Sequence, residues 1–143
     1  MKRVEFPQEQ YALLAAHLQD AYPNEGAGFL FGRITDEAFI VESVMTLPNT
    51  WDEGSQRNRF RLSAEDSLKA ELEAGRRGSD VIGVFHSHPD HPAVPSQWDL
   101  EWAAWPNFAY LITTVAQGKA ERTRAWQLRA DRSAFEEDDL RIT

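Results

Sequence analysis

The sequence contains no cysteine among its 143 residues, and it has fewer cationic than anionic side chains. The absence of cysteine excludes thiol nucleophiles, disulfides, iron–sulfur clusters and cysteine-ligated zinc sites. The 15 Lys and Arg residues stand against 23 Asp and Glu, which gives a formal net charge of −8. Nucleic acids and anionic membrane surfaces both bind mainly through cationic side chains, so we expect neither as a partner.

Long hydrophobic runs are also absent from the sequence. No stretch approaches the roughly 20 apolar residues that a membrane-spanning helix needs. The N-terminal segment MKRVEFPQEQ lacks the apolar core of a signal peptide. A length of 143 residues is that of one ordinary domain. We therefore expect residues 1–143 to form a single cytoplasmic domain.

The spacing of apolar residues predicts helices and strands interspersed along the chain. Helical spacing indicates three helices, at residues 7–22, 64–74 and 96–105. Apolar or alternating runs indicate six strands, at residues 28–32, 38–47, 59–62, 81–88, 108–115 and 124–129. Residues 48–58 are interpreted as a loop and residues 131–139 as an acidic tail. The order of these elements predicts an α/β fold in which a mixed β-sheet is flanked by two or three helices.

The ends of two predicted helices carry recognisable capping signals. Ser63 with Asp66, and Ser96 with Asp99, each form a Ser-x-x-Asp sequence that is typical of a capping box at a helix start. Gly75 is a suitable residue to end the second helix. Helix capping alone is a sufficient explanation for both pairs.

Three of the four histidines fall within six residues, where an apolar strand runs into a proline-rich segment. His86 and His88 are two apart, so on a strand they point to the same face, with Cα atoms about 6.7 Å apart. Their imidazoles can then converge on one metal ion. Asp99, in the first turn of the next predicted helix, is the candidate third ligand. A histidine at a strand end is otherwise most often a surface residue.

The order His-x-His-x7-Ser-x-x-Asp, formed by His86, His88, Ser96 and Asp99, resembles the signature of the JAMM/MPN metalloproteases. The segment from Glu25 to Gly32, EGAGFLFG, is similar to the family's upstream E-x-C-G-(F/L)-L-x-G segment, with Ala27 in place of a common cysteine that is not a metal ligand. The resemblance covers about residues 10–135. It implies a single JAMM/MPN metalloprotease domain with an MPN/cytidine-deaminase-like sandwich.

The resemblance also implies a role for each residue of the motif. His86, His88 and Asp99 would hold Zn²⁺ and leave a fourth position open. Glu25 would act as general base and acid, and Ser96 would donate a hydrogen bond to the developing oxyanion. His91 lies outside the motif and is expected in solvent, with a substrate contact as the alternative. Three tryptophans at helical spacing are expected in the core, with substrate binding as the alternative: Trp98, Trp102 and Trp105.

The family resemblance implies a zinc-dependent peptidase or isopeptidase acting at the C-terminal tail of a ubiquitin-like or sulfur-carrier protein. It would either remove conjugates or trim the tail to expose Gly-Gly. Family members that cut ubiquitin chains carry long insertions, whereas the predicted loop at residues 48–58 is short. Two alternatives stay open: a non-catalytic MPN scaffold that mediates protein assembly, and a metal hydrolase of a small amide.

Overall fold

The computed structural model describes residues 2–48, 62–103 and 105–143. Seven strands and three helices lie within these residues. In chain order they are β1 (Arg3–Phe6), α1 (Gln8–Ala21), β2 (Ala27–Ile34), β3 (Ala38–Thr46), α2 (Ala64–Arg76), β4 (Asp80–Pro89), α3 (Gln97–Trp102), β5 (Ala109–Ala116), β6 (Lys119–Leu128) and β7 (Phe135–Ile142).

The strands form one mixed sheet that closes on itself as a barrel, in the order β1-β3-β2-β4-β5-β6-β7. Strand β1 closes the barrel by pairing in parallel with β7, with Val4 opposite Leu140. The prediction of a mixed sheet flanked by helices, an MPN/cytidine-deaminase-like sandwich, is therefore wrong in its architecture: the sheet is mixed but closed.

The error comes from the two strands that close the barrel. Strand β1 has four residues, too few to show a strand period in the sequence. Strand β7 has the sequence FEEDDLRI, in which Asp138 alone is buried, so the exposed acidic side chains make the segment look like a tail. The predicted acidic tail at residues 131–139 thus contains the start of the seventh strand.

The interior of the barrel holds one hydrophobic cluster, which receives side chains from every strand. Helix α1 adds Leu14 and Leu18 to this cluster, both completely buried. A second cluster lies on the outer face of the sheet, where Ala70 and Ala74 of α2 pack beside Val84 of β4. Helices α1 and α2 therefore cover opposite faces of the sheet.

The predicted helices exist, with changes at their ends. Helix α2 begins with the predicted capping box, in which Ser63 Oγ accepts a hydrogen bond from the N–H of Asp66 at 3.0 Å. Gly75 does not end this helix, which continues to Arg76 and is followed by Gly78 at a φ of +73°. Helix α3 covers Gln97–Trp102, which is shorter than the predicted 96–105.

Four of the predicted strands coincide closely with β2, β3, β4 and β5. The predicted strand at 124–129 is part of β6, which starts earlier, at Lys119. Residues 59–61 of another predicted strand, and 49–58 of the predicted loop, lie outside the described residues. No helix in the described ranges is long and apolar enough to cross a membrane. The cytoplasmic location stays a prediction.

Strand β4 lies between β2 and β5 in the barrel and carries the predicted histidines. It pairs antiparallel with β2, with Ala27 opposite His86. On its other side it pairs in parallel with β5, with His88 opposite Thr114. Phe85 packs its ring against the Cα of Gly28, where a Cβ atom would clash with it. This contact holds β2 and β4 close together just before the histidines.

Candidate metal centre

His86, His88 and Asp99 converge at the end of β4, as the sequence motif predicts. The two histidines project from the outer face of the strand, and Asp99 reaches them from the first turn of α3. The Nε2 atoms of His86 and His88 lie 3.2 Å apart. Asp99 places Oδ1 3.1 Å from Nε2 of His86 and Oδ2 3.0 Å from Nε2 of His88.

This donor set fits a divalent metal ion. Each of the three residues offers one ligand atom, and these atoms lie within 4.8 Å of one another. Donors about 2.0–2.1 Å from a tetrahedral zinc ion lie about 3.3–3.4 Å from each other. The observed separations are only slightly shorter, so small side-chain adjustments suffice. The group is therefore able to bind a metal ion.

Asp99 is held in place by the capping box at the start of α3. Ser96 Oγ accepts a hydrogen bond from the N–H of Asp99 at 3.1 Å, and the N–H of Ser96 donates to Asp99 Oδ2 at 2.8 Å. The carboxylate of Asp99 therefore completes the capping box and at the same time contacts both imidazoles. A hydroxyl has one donor and two acceptor sites, so the Ser96 proton remains available while its oxygen caps the helix.

A backbone carbonyl after β4 orients the imidazole ring of His88. Its Nδ1 lies 2.8 Å from the carbonyl oxygen of Pro92. A carbonyl can only accept, so Nδ1 donates to it, and Nε2 is the ring nitrogen that faces Asp99 and His86. Metal-ligating histidines are commonly fixed in this way by a hydrogen bond from the other nitrogen. The sequence analysis missed Pro92, because a backbone carbonyl leaves no signal in residue identities.

Burial and hydrogen bonding favour the ionisation states that a metal requires. Burial lowers the pKa of His86, although the carboxylate of Asp99 acts in the opposite direction. Burial by itself would raise the pKa of Asp99, but the imidazoles of His86 and His88 and the N–H of Ser96 outweigh it and hold that pKa well below its usual range. Metal ligands must be neutral imidazoles and ionised carboxylates. The donor set therefore needs little change in protonation to bind a cation.

Glu25 lies close to this group, on the segment that leads into β2. It is only 3% exposed. It lines one open cleft together with His88 and Ser96, so the structure brings the predicted base beside one candidate ligand and the predicted hydrogen-bond donor. His91 is exposed, as expected, but it also lines this cleft. Its position agrees with both interpretations made from the sequence.

A second cavity, of about 260 Å³, lies on the other side of the donor set, with His86 and Asp99 in its wall. Four aromatic residues contribute to its lining: Trp98, Trp105, Tyr110 and Phe135. The Tyr110 hydroxyl fixes one wall by donating to the carbonyl of Trp105 at 2.9 Å and accepting from its N–H at 3.0 Å. Trp105 is half-buried and packs against the outer hydrophobic cluster, in agreement with the prediction. Both Trp98 and Trp105 also line the cavity, which the sequence did not predict. The side chain of Trp102 lies outside the described part of the chain.

Curated relatives of this chain cleave protein conjugates, according to their names. A desampylase from Haloferax volcanii is 33% identical over 94 residues, which are 63% of this chain and 62% of the relative. A probable TtuB-protein conjugate cleaving protease from Thermus thermophilus is 36% identical over 90 residues, which are 63% of this chain and 56% of the relative. The match thus spans less than two-thirds of the length of each relative.

Solved structures share the fold over nearly the whole chain. A Salinibacter ruber protein is 40% identical, with a TM-score of 0.76, covering 100% of this chain and 92% of its own. A Desulfitobacterium hafniense protein is 27% identical, with a TM-score of 0.83, covering 98% of this chain and 92% of its own. A JAB1/MPN domain protein from Archaeoglobus fulgidus, 18% identical, shares the fold with a TM-score of 0.61, covering 100% of this chain and 99% of its own.

The family described as prokaryotic homologues of the JAB domain matches residues 7–129. This range contains Glu25 and the whole histidine motif, and it agrees with the resemblance seen in the sequence. The protein is therefore a member of the prokaryotic JAB family.

Proposed function

We propose that this protein is a zinc-dependent peptidase or isopeptidase that hydrolyses a peptide or isopeptide bond at the C-terminal tail of a ubiquitin-like or sulfur-carrier protein. One observation carries the proposal: His86, His88 and Asp99 converge within metal-binding distance, while Glu25 lines the cleft beside them. The names of the relatives, desampylase and TtuB-protein conjugate cleaving protease, supply the substrate class. All described strands lie in one barrel, which supports residues 1–143 as a single domain.

The chemistry of the donor set favours zinc in a catalytic setting. His86, His88 and Asp99 would hold it through two imidazoles and one carboxylate. Structural zinc sites are normally closed by four protein ligands, whereas three leave a position open for substrate or water. When bound, zinc supplies the Lewis acidity that peptide hydrolysis needs.

Glu25 would accept a proton from the attacking water and pass it to the leaving amine. Its place in the cleft beside His88 suits this role, because a general base must lie within hydrogen-bond reach of the proton that it moves. Ser96 would donate its hydroxyl proton to the carbonyl oxygen as negative charge develops there, while its oxygen keeps the N–H of Asp99. A donor in such a position contributes about 2.7–4 kcal/mol in other acyl-transfer enzymes.

Hydrolysis of defined fusions tests the proposal. The purified protein is loaded with zinc and incubated with two substrates, a ubiquitin-like protein linked to a lysine side chain and one with a peptide extension after Gly-Gly. Intact mass then reports cleavage. We expect cleavage that stops with a chelator and resumes with zinc.

The variant Glu25→Gln tests the proposed base. Loss of the carboxylate is expected to lower kcat by roughly 10²- to 10⁴-fold while zinc stays bound, since Glu25 is not among the metal ligands. Unchanged activity in this variant would refute the role of Glu25. A wild-type protein that binds no zinc and cleaves neither substrate would instead support a scaffold.

A further inference from the structure

Glu25 lies in a short connection between a helix and a strand. Helix α1 ends at Ala21 and strand β2 begins at Ala27. We call residues 22–26 the Glu25 segment. Regular helix or sheet hydrogen bonds do not fix such a connection. A proton-transferring group must nevertheless stay within a few tenths of an ångström of its working position, so other contacts have to hold it.

Ser87 holds the segment at the residue that follows Glu25. Its Oγ accepts a hydrogen bond from the N–H of Gly26 at 2.9 Å. Its own N–H donates to the carbonyl of Gly26 at 3.0 Å. Ser87 is completely buried and lies between His86 and His88 on β4, with its side chain on the opposite face of the sheet. One serine thus joins the segment to the strand that carries two candidate metal ligands.

The hydroxyl of Ser87 accepts the hydrogen bond that a backbone carbonyl would accept in a regular antiparallel ladder. Two opposite residues of an antiparallel pair normally exchange both hydrogen bonds through their main chains. Here the side chain of Ser87 accepts in place of its carbonyl, so Gly26 leaves the regular β2–β4 ladder at this point. Without the hydroxyl, the N–H of Gly26 would either lose this buried partner or move to the carbonyl of Ser87. Both outcomes shift the chain next to Glu25.

Asp90 holds the other end of the Glu25 segment. The hydroxyl of Tyr22 donates to Asp90 Oδ2 at 2.6 Å. Asp90 is itself fixed by the turn between β5 and β6, because its Oδ1 accepts from the N–H of Gln117 at 2.8 Å. Its N–H donates to the carbonyl of Val115 at 2.9 Å. A residue two positions after His88 therefore offers Tyr22 a rigid acceptor.

We propose that Ser87 and Asp90 are positioning residues that hold the Glu25 segment from both ends and so set the placement of Glu25 relative to the metal ligands. The proposal rests on the role of Glu25 in the proposed function. Both residues act through Glu25 and not on the substrate. The metal ligands themselves are held by other contacts, from Pro92 to His88 and from Ser96 to Asp99.

The variant Ser87→Ala tests the proposal on the zinc-loaded, full-length protein. We expect kcat on the peptide-extended fusion to fall roughly 10- to 100-fold, with KM and zinc affinity unchanged, because a small misplacement of a catalytic group costs about this much. The amide of Gly26 should exchange its hydrogen faster, as measured by NMR. Ser87→Thr, which keeps the hydroxyl, should restore both kcat and the slow exchange.

Thr113→Val is a matched control on the neighbouring strand. Thr113 lies opposite Ser87 on β5 and is also completely buried. Its hydroxyl forms a hydrogen bond of 2.7 Å with that of Thr123 and not with the Glu25 segment. This variant should lower thermal stability and leave both kcat and the Gly26 exchange as they are. An equal fall of kcat in Thr113→Val would show a general effect of a lost buried hydroxyl and overturn the proposal.

A double-mutant cycle separates positioning from a purely structural role. In the Glu25→Gln background, Ser87→Ala should lower kcat no further, since Ser87 acts through the carboxylate that is already lost. A further fall by the full factor, or a parallel loss of zinc affinity, would overturn the proposal. Tyr22→Phe removes only the hydroxyl at the other end and should lower kcat about 3- to 10-fold. It serves as the second variant if Ser87→Ala does not fold.

The Gly26 exchange measurement distinguishes this proposal from the proposed function. If the wild-type protein cleaves neither fusion, the proposed function fails, but the exchange of the Gly26 amide still reports whether Ser87 holds the segment. Faster exchange in Ser87→Ala would support the anchoring. Unchanged exchange in both Ser87→Ala and Tyr22→Phe would overturn it, whatever the activity.

Discussion

Removal of any one of His86, His88 or Asp99 should abolish the stabilisation that zinc gives to the folded protein. The three ligand atoms come from two elements, β4 and α3, so the complete donor set exists only in the folded chain. A ligand that binds only the folded state stabilises it by about 2.7 kcal/mol at a free concentration 100 times its Kd. The free energy of unfolding should therefore rise by about this amount when zinc is added.

The expected shift in melting temperature follows from the size of the chain. An unfolding entropy of about 2.1 cal/mol/K per residue gives roughly 0.3 kcal/mol/K for a domain of this length. A gain of about 2.7 kcal/mol then corresponds to a rise in Tm of roughly 9 °C. The assay is a thermal melt followed by circular dichroism at pH 7.5, with excess zinc and with a chelator.

The variant His88→Ala should melt at the same temperature with and without zinc. His91→Ala is the matched control, because His91 belongs to the same histidine-rich stretch but is exposed and lies outside the donor set. It should keep the full shift. The assignment of the site would be refuted if His88→Ala retained the wild-type shift or if His91→Ala lost it.

Two further predictions concern the helix cap and the pH. Ser96→Ala should lower the free energy of unfolding by about 0.5–2 kcal/mol through its lost cap, and it should lower kcat by roughly 10²- to 10³-fold. The control variant Ser63→Ala removes the corresponding cap from α2 and should lower stability alone. Equal kcat values in the two variants would contradict a role of Ser96 in catalysis. Burial lowers the pKa of His17 and His86 from the ordinary 6.5, so below that pH the unfolded chain binds protons that the folded chain does not. Urea unfolding of the chelated protein should therefore show lower stability at pH 5.5 than at pH 7.5, and equal or higher stability at pH 5.5 would contradict this reasoning.

The convergence of His86, His88 and Asp99 could be predicted from the sequence because its information is local. His86 and His88 share a face through the two-residue period of a strand, and Asp99 follows a serine that starts a helix. The capping explanation and the metal-ligand explanation of Asp99 are both supported by the geometry, since its carboxylate meets the N–H of Ser96 and both imidazoles. Only the family resemblance singled out Glu25, whose neighbours in the sequence carry no such period.

The closed barrel and the aromatic cavity depend on contacts between distant parts of the chain. Closure pairs β1 with β7, and the backbone N–H of Lys2 reaches Asp138, 136 residues away. Phe135 enters the cavity wall from the segment that looked like an acidic tail. The composition and spacing of one segment do not indicate which distant segment it contacts, so such contacts cannot be predicted from a single sequence.

The barrel seam between β1 and β7 has a consequence for the order of folding. Strands β2, β4 and β5, which surround the candidate metal centre, lie within residues 27–116, whereas the seam joins the first strand to the last. Contacts between distant residues carry the largest loop-closure cost and slow folding. We expect the central strands to pair first and the seam to close last. The donor set lies on β4 and α3, within these central residues, so it can assemble on a sheet whose two edges are still open.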